Sequence, residues 1–200
     1  MDTKMFLLIC TIVVGAMGHT VMDLDPDFNV MFHMASDDTI EIQVIAKTTG
    51  WVGFGFSNTH SFSNADMVIG GINDANNEIY HQDYWSTSGD VVPTLDTIQN
   101  WRRYDTECRQ NGTHTTMYYS RLLNTGDTAQ DLIIPNSNVY LVWAYGATDA
   151  LGTAARQEIY HHEINFISSG SHGGSSAIHG SIAIILLCVG FYVFQFCDFM

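Results

Sequence analysis

Cysteine is nearly missing from the part of this chain that can fold. Of its four cysteines, Cys10 lies in an apolar N-terminal run, and Cys188 and Cys197 lie in an apolar C-terminal one, which leaves Cys108 by itself. One thiol closes no internal disulfide, so an internal disulfide framework is excluded and the core must hold the fold. Cys108 is then a buried apolar filler or an intermolecular thiol, and we read it as filler. Basic residues are scarce as well: 7 Lys and Arg stand against 21 Asp and Glu, for a net charge of −14. Those in the domain (Lys47, Arg102, Arg103, Arg109, Arg121 and Arg156) are scattered. Nucleic acid is excluded as a partner, because phosphate neutralisation needs basic clusters, and no patch for anionic lipid is present. The sequence also lacks a Walker loop, a dinucleotide fingerprint, a nucleophile elbow, an HExxH zinc motif, an internal repeat and any long helical stripe between its ends.

The ends carry targeting signals. Residues 1–18 have a positive Lys4, an apolar run from Met5 to Val14 and the small-residue site Ala16-Met17-Gly18, which predicts a signal peptide cut before His19. The run is too short to span a membrane. A Ser/Gly/His-rich stalk follows the domain at 168–180, and 181–200 is an apolar tail with no Lys or Arg after it. Small residues, a spacer and a terminal apolar tail predict a glycolipid-anchor signal, with attachment at Ser168, Ser169, Gly170 or Ser171. A retained short membrane segment is the alternative. The expected location is the secretory pathway and then the outer leaflet of the plasma membrane.

Between the ends lie residues 19–167, about 150 residues, enough for one domain with a real core. Period-2 patterns dominate, most clearly in Thr39-Ile40-Glu41-Ile42-Gln43-Val44-Ile45-Ala46. Strands are predicted at 28–35, 39–46, 50–57, 65–72, 77–84, 97–105, 113–122, 138–145 and 157–166. Turn signals such as Ser36-Asp37-Asp38 and Asn111-Gly112 separate them. Many short strands at this spacing predict an all-β fold, an antiparallel β-sandwich of immunoglobulin-like architecture. Asn111-Gly112-Thr113 is a glycosylation sequon in one of the turns, so Asn111 is the expected glycan site.

Two segments are more specific. Gly50-Trp51-Val52-Gly53-Phe54-Gly55-Phe56-Ser57 reads as an aromatic strand with glycines where side chains would crowd a close backbone approach. Asn64-Ala65-Asp66-Met67-Val68-Ile69-Gly70-Gly71 reads as a buried strand of small and branched residues. With Tyr80-His81-Gln82-Asp83, Gln130-Asp131-Leu132 and Val142-Trp143-Ala144-Tyr145-Gly146, they resemble the DOMON domain. The form resembled is the one that opens the dopamine β-hydroxylase-like copper monooxygenases, and it extends roughly from Phe28 to Asn165. In those proteins a cysteine before the segment matching Asp127 to Leu132 ties the domain to the catalytic part. Here Thr125 or Gly126 stands there.

The resemblance implies three chemistries. Copper monooxygenation needs two further domains; His161-His162, the one histidine pair, falls inside the DOMON part, so no catalytic residue is assigned. Some DOMON domains are b-type cytochromes with Met and His axial ligands. The matching methionine position is Phe62, which leaves His60, Met67, His161 and His162 as haem candidates. In the monooxygenase form a cation sits on the Asp of the Ala-Asp strand, two carbonyls and a later acid. Carried over, the candidates are Asp66, the carbonyls of Met67 and Tyr84, and Asn100, with calcium as the suited ion. One reading comes from the residues themselves. A chain cut after Gly18 begins with His19, whose amine and imidazole, with His33 or His60, can chelate copper.

The expectation is a surface DOMON domain acting as a non-catalytic module for a small extracellular ligand, such as a catecholamine-like compound, a sugar or haem, or for a protein. The alternatives are a haem protein in extracellular electron transfer and an accessory or truncated member of the copper monooxygenase family.

Overall fold

The computed structural model describes residues 19–87, 92–152, 154–159 and 164–165. The expected signal, stalk and anchor segments lie outside them, as do His161 and His162. Among the described residues every regular element is a strand, and no helix is long and apolar enough to cross a membrane. In chain order the strands are β1 (Thr20–Asp25), β2 (Phe28–Met34), β3 (Thr39–Ala46), β4 (Val52–Ser57), β5 (Ala65–Ile72) and β6 (Ile79–Ser86). Then follow β7 (Thr94–Leu95), β8 (Arg102–Arg103), β9 (Arg109–Gln110), β10 (Thr115–Leu122), β11 (Tyr140–Tyr145) and β12 (Arg156–Ile159).

They form two antiparallel sheets. The first runs β1-β2-β3-β10-β8, with β9 also on β10; the second runs β12-β11-β4-β5-β6-β7. The alternation seen in the sequence is the reason for the layering. On β3, Ile40, Ile42, Val44 and Ala46 are buried while Thr39, Glu41, Gln43 and Ile45 are partly exposed. A ring contact joins the sheets across the core: Phe28 of β2 stacks on Trp143 of β11 at 4.7 Å between centroids, while Phe54 and Phe56, both on β4, meet edge-on at 5.5 Å.

The central strands β4 and β5 are buried on both faces. Their inner face joins the core. Their outer face is roofed by the loops around 57–63 and 146–152, which packs Trp51 and Ile69 against Leu151, and Met67 against Phe62. The glycines of the aromatic run have a concrete task there. A Cβ on Gly55 would collide with the Asp66 carbonyl of the neighbouring strand, and one on Gly146 would enter the Trp51 indole.

Two expectations need correction. The strand predicted at 97–105 is a loop carrying only the two-residue β8. The polar side chains of this segment bond to backbone instead of leaving it free for a ladder: Asp96 Oδ1 accepts from Ile98 N, and Gln99 Oε1 from Asp83 N. Strand β1, absent from the sequence reading, pairs with β2 and turns Met22 and Leu24 toward the core.

Candidate functional site

The inward face of the second sheet carries charge at one place. Asn64 takes a left-handed φ of 56°, which Asn tolerates, and this turn launches β5. Asp66 then points inward with Val68, while Met67 and Ile69 point outward. Asp83, opposite Val68 on β6, also points inward. From the first sheet, β10 sends in Met117, Tyr119 and Arg121. Arg121 and Asp66 meet between the sheets, Nη1 to Oδ2 at 2.6 Å, with both side chains fully buried. Asp131 comes from the loop after β10, its Oδ2 at 3.8 Å from Arg121 Nη2.

The cluster is tied to backbone on several sides. Leu132 N donates to Asp66 Oδ2 at 2.8 Å, Asn100 N to Asp83 Oδ2 at 3.1 Å, and Arg121 Nη2 to the Leu132 carbonyl at 2.6 Å. Asn100 Nδ2 donates to Asp131 Oδ2 at 2.5 Å. Trp101 and Phe56 flank the guanidinium, 5.5 and 5.9 Å from their ring centroids.

One buried cation faces three buried carboxylates, and the balance is not closed. Oδ1 of Asp66, of Asp83 and of Asp131 each lacks a hydrogen-bond partner, and the three residues offer ligand atoms within 4.8 Å of one another. Burial pushes Asp66 up to about 6 against the pull of Arg121. Burial, reinforced by Asp66, pushes Asp83 up to about 8. Asp66 and Asp83 both resist ionising in a site with too little positive charge. A proton relieves this, and so does a hard cation. Three converging carboxylate oxygens suit calcium better than a soft metal. The residues present therefore fit a cation.

On the other side of β5 is a cavity of about 380 Å³. Trp51, Phe62, Met67 and Ile69 supply its apolar walls; Ser61, Ser63, Ser86 and Gln157 supply uncharged polar groups. His60 also lines it, its ring 5.3 Å from that of Tyr140. A second recess of about 450 Å³ shares Trp51, Ile69 and Leu151 with it and continues toward Tyr80, Tyr84 and Arg103. Of the haem candidates, the structure brings His60 and Met67 to one cavity. Phe62, which the resemblance sets at the cytochromes' methionine position, lines it too and offers no ligand atom.

Of the cation candidates, Met67 and Tyr84 face each other across β5 and β6, beside Asp66, and Asn100 reaches the cluster as a hydrogen-bond donor. Asn111 lies exposed in the turn between β9 and β10. Cys108 is buried, and its thiol is pushed up by that burial. His19 lies against His33 on the outer face of the first sheet, while His60 sits on the second sheet. Burial lowers the pKa of His33, with Glu41 pulling the other way.

Arg121, Asp83 and Asp131 were missed as site residues. Arg121 stands among the scattered basic residues of the sequence, although it continues the inward alternation of Met117 and Tyr119. Asp83 and Asp131 lay inside motifs that served only as landmarks.

Among the described residues the fold is a helix-free antiparallel sandwich with a charged cluster between its sheets and an aromatic-lined cavity on one outer face. The family model of the DOMON domain matches residues 24–146, and the chain belongs to that family. It is 36% identical over 130 residues to MOXD1 homolog 2 of Drosophila melanogaster, which is 64% of this chain and 16% of that protein. It is 35% identical over 127 residues to DBH-like monooxygenase protein 1 of Mus musculus, covering 63% of this chain and 20% of the relative. The chain thus spans about a fifth of these relatives. The fold is also that of the cytochrome b domain of pyranose dehydrogenase from Coprinopsis cinerea, with a TM-score of 0.52 and 16% identity over 70% of this chain and 77% of that one. The cytochrome domain of Myriococcum thermophilum cellobiose dehydrogenase aligns with a TM-score of 0.53 and 12% identity, over 74% and 84%.

Proposed function

We propose that this DOMON domain is a non-catalytic binding module held at the cell surface by a glycolipid, and that its ligand enters the cavity on the outer face of the second sheet. The observation that carries the reading is the cavity's composition. Trp51 and Phe62 offer ring faces, and Ser61, Ser63, Ser86 and Gln157 offer uncharged hydrogen bonds. That pairing suits a neutral, hydroxyl-bearing molecule such as a sugar better than a charged amine, which needs a carboxylate partner. Calorimetric titration with glucose, dopamine and haemin separates the three ligand classes. Saturable heat with glucose, lost in Trp51→Ala, is expected. A Soret band with haemin and no response to glucose would replace this reading with the cytochrome one. For the anchor, phosphatidylinositol-specific phospholipase C should release the protein from intact cells. Recovery of residues 182–200 in the membrane pellet by mass spectrometry would end that part of the proposal.

The module includes a structural cation held by Asp66, Asp83 and Asp131. It would neutralise the acids and fix β5 against the loops at Asn100 and Asp131. Because β5 carries Met67 and Ile69 on its other face, fixing it also fixes the cavity floor. The support is the set of three unpartnered carboxylate oxygens.

A further inference from the structure

The outer face of the first sheet carries a histidine pair that neither the cavity nor the interior acids use. Strand register sets it. Thr20 on β1 faces Phe32 on β2, so the preceding residue, His19, comes opposite His33. The two rings meet edge to face, 4.6 Å between centroids and 62° between planes. His33 in turn faces Glu41 on β3. His33 Nε2 lies 3.3 Å from Glu41 Oε2. Glu41 is itself fixed, accepting hydrogen bonds at 2.8 Å from Tyr104 at Oε1 and from Tyr118 at Oε2.

A carboxylate that holds one ring nitrogen of a histidine sets the tautomer and leaves the other nitrogen's lone pair for a metal. That arrangement recurs behind metal-bound imidazoles. Here the pair is anchored by two tyrosines, and the ring it orients sits against the residue at which the chain is expected to begin. We propose that, when the chain is cut before His19, the α-amine and imidazole of His19 together with His33 Nδ1 form a copper(II) site, with Glu41 as the positioning residue. Three nitrogen donors suit tetragonal copper, and copper(II) heads the affinity order of the divalent first-row ions. The α-amine and ring nitrogen of one residue close a chelate ring, so ordering the first ligand costs little. No redox step is assigned. The site lies on a different sheet face from the cavity and stands or falls apart from the proposed ligand.

The test uses the full chain, produced through a eukaryotic secretory pathway and purified in mild detergent. Mass spectrometry of the mature N-terminus comes first; a start at any residue other than His19 overturns the proposal. Titration with copper sulfate, followed by calorimetry and electron paramagnetic resonance, should then show one equivalent with an axial spectrum and nitrogen hyperfine structure. Glu41→Gln should weaken copper binding by about 10–100-fold, and His33→Gln and His19→Gln by more. His114→Gln, in an exposed turn, should leave it unchanged. His19 precedes the first strand, so His19→Gln keeps the test open if His33→Gln fails to fold. Copper binding equal in wild type and His19→Gln, or a spectrum without nitrogen coupling, overturns the site.

Discussion

Around Phe28 and Trp143 the two sheets meet through stacked rings and branched side chains; around Arg121 they meet through charge. Both regions are closed to water. The first is held by packing and leaves one polar atom over, the buried Trp143 indole N–H, which has no hydrogen-bond partner. The second has a guanidinium against three carboxylates and is left with unpartnered oxygens on each acid. A buried charge cluster rarely stabilises a fold more than apolar packing of the same volume does, and breaking one side of it is costly. The difference teaches where to look for purpose. The apolar half explains why the sandwich is stable. The acidic half is explained by what it can hold and by the strand it braces.

The largest expected effect tests whether the charge is structurally essential. Arg121→Leu removes the one buried cation from among the acids and should destabilise the domain by about 3–5 kcal/mol in urea unfolding. Phe28→Leu, in the apolar half, should cost less, about 1–2 kcal/mol, from three fewer buried carbons and the lost stack on Trp143. Comparable losses at the two positions would erase the contrast between the regions.

Calcium sharpens the comparison next. An ion bound only by the folded state stabilises it by about 2.7 kcal/mol at a hundredfold excess over its dissociation constant. Calcium should therefore raise the melting temperature of the wild type and leave Asp66→Asn unmoved. Asn100→Asp replaces the donor to Asp131 with a fourth acid, so it should melt lower than wild type in chelator and respond more strongly to calcium. Identical wild-type melts in calcium and in chelator would leave the cluster as scaffold only.

The pH dependence is a smaller effect with a definite sign. Burial raises Asp66 to about 6 and Asp83 to about 8, from an unfolded value of 3.8. The folded state thus keeps protons that the unfolded chain has released. The contribution of these two acids is favourable at low pH and falls as pH rises from roughly 4 to 8. Calcium, taking the place of the protons, should flatten that fall. Asp83→Asn in chelator should flatten it too, and should be more stable than wild type at pH 8. A wild-type stability curve in chelator that rises steadily from pH 5 to 8, with Asp83→Asn parallel to it, would contradict the assignment.

The smallest effects are expected at the surface. Asn111→Gln should remove a glycan's mass on electrophoresis while changing stability by no more than about 0.5 kcal/mol. An unchanged mass would show that the sequon is not used.

The layered fold was legible because β-structure writes itself locally. Alternation along Thr39 to Ala46 and the turn signals around it locate strand and buried face without any partner. The aromatic-glycine run and the Asn-Ala-Asp strand were legible for the same reason, and both became the doubly buried centre of the second sheet. The segment 97–105 reads as a strand because Thr97, Ile98, Trp101 and Tyr104 are strand-favouring residues, but Asp96 and Gln99 spend side-chain hydrogen bonds on neighbouring backbone and Asn100 spends its own on Asp131, which leaves a loop. The interior site was half legible. The family resemblance supplied Asp66; Asp83, Arg121 and Asp131 could not be joined to it. They come from β6, β10 and a loop separated by tens of residues, and nothing local in the chain states which distant side chains share a dry space.

By itself, then, the sequence determined the class of fold and the inward face of each long strand, since those follow from a period that each segment carries alone, while the cation and haem candidates came from the family resemblance. Tertiary structure alone decided that one guanidinium must answer three acids, that the outer face of β5 becomes a cavity, and that His19 faces His33. Those facts depend on sheet order, register and loop cover, which arise only when non-local strands pair and exclude water together.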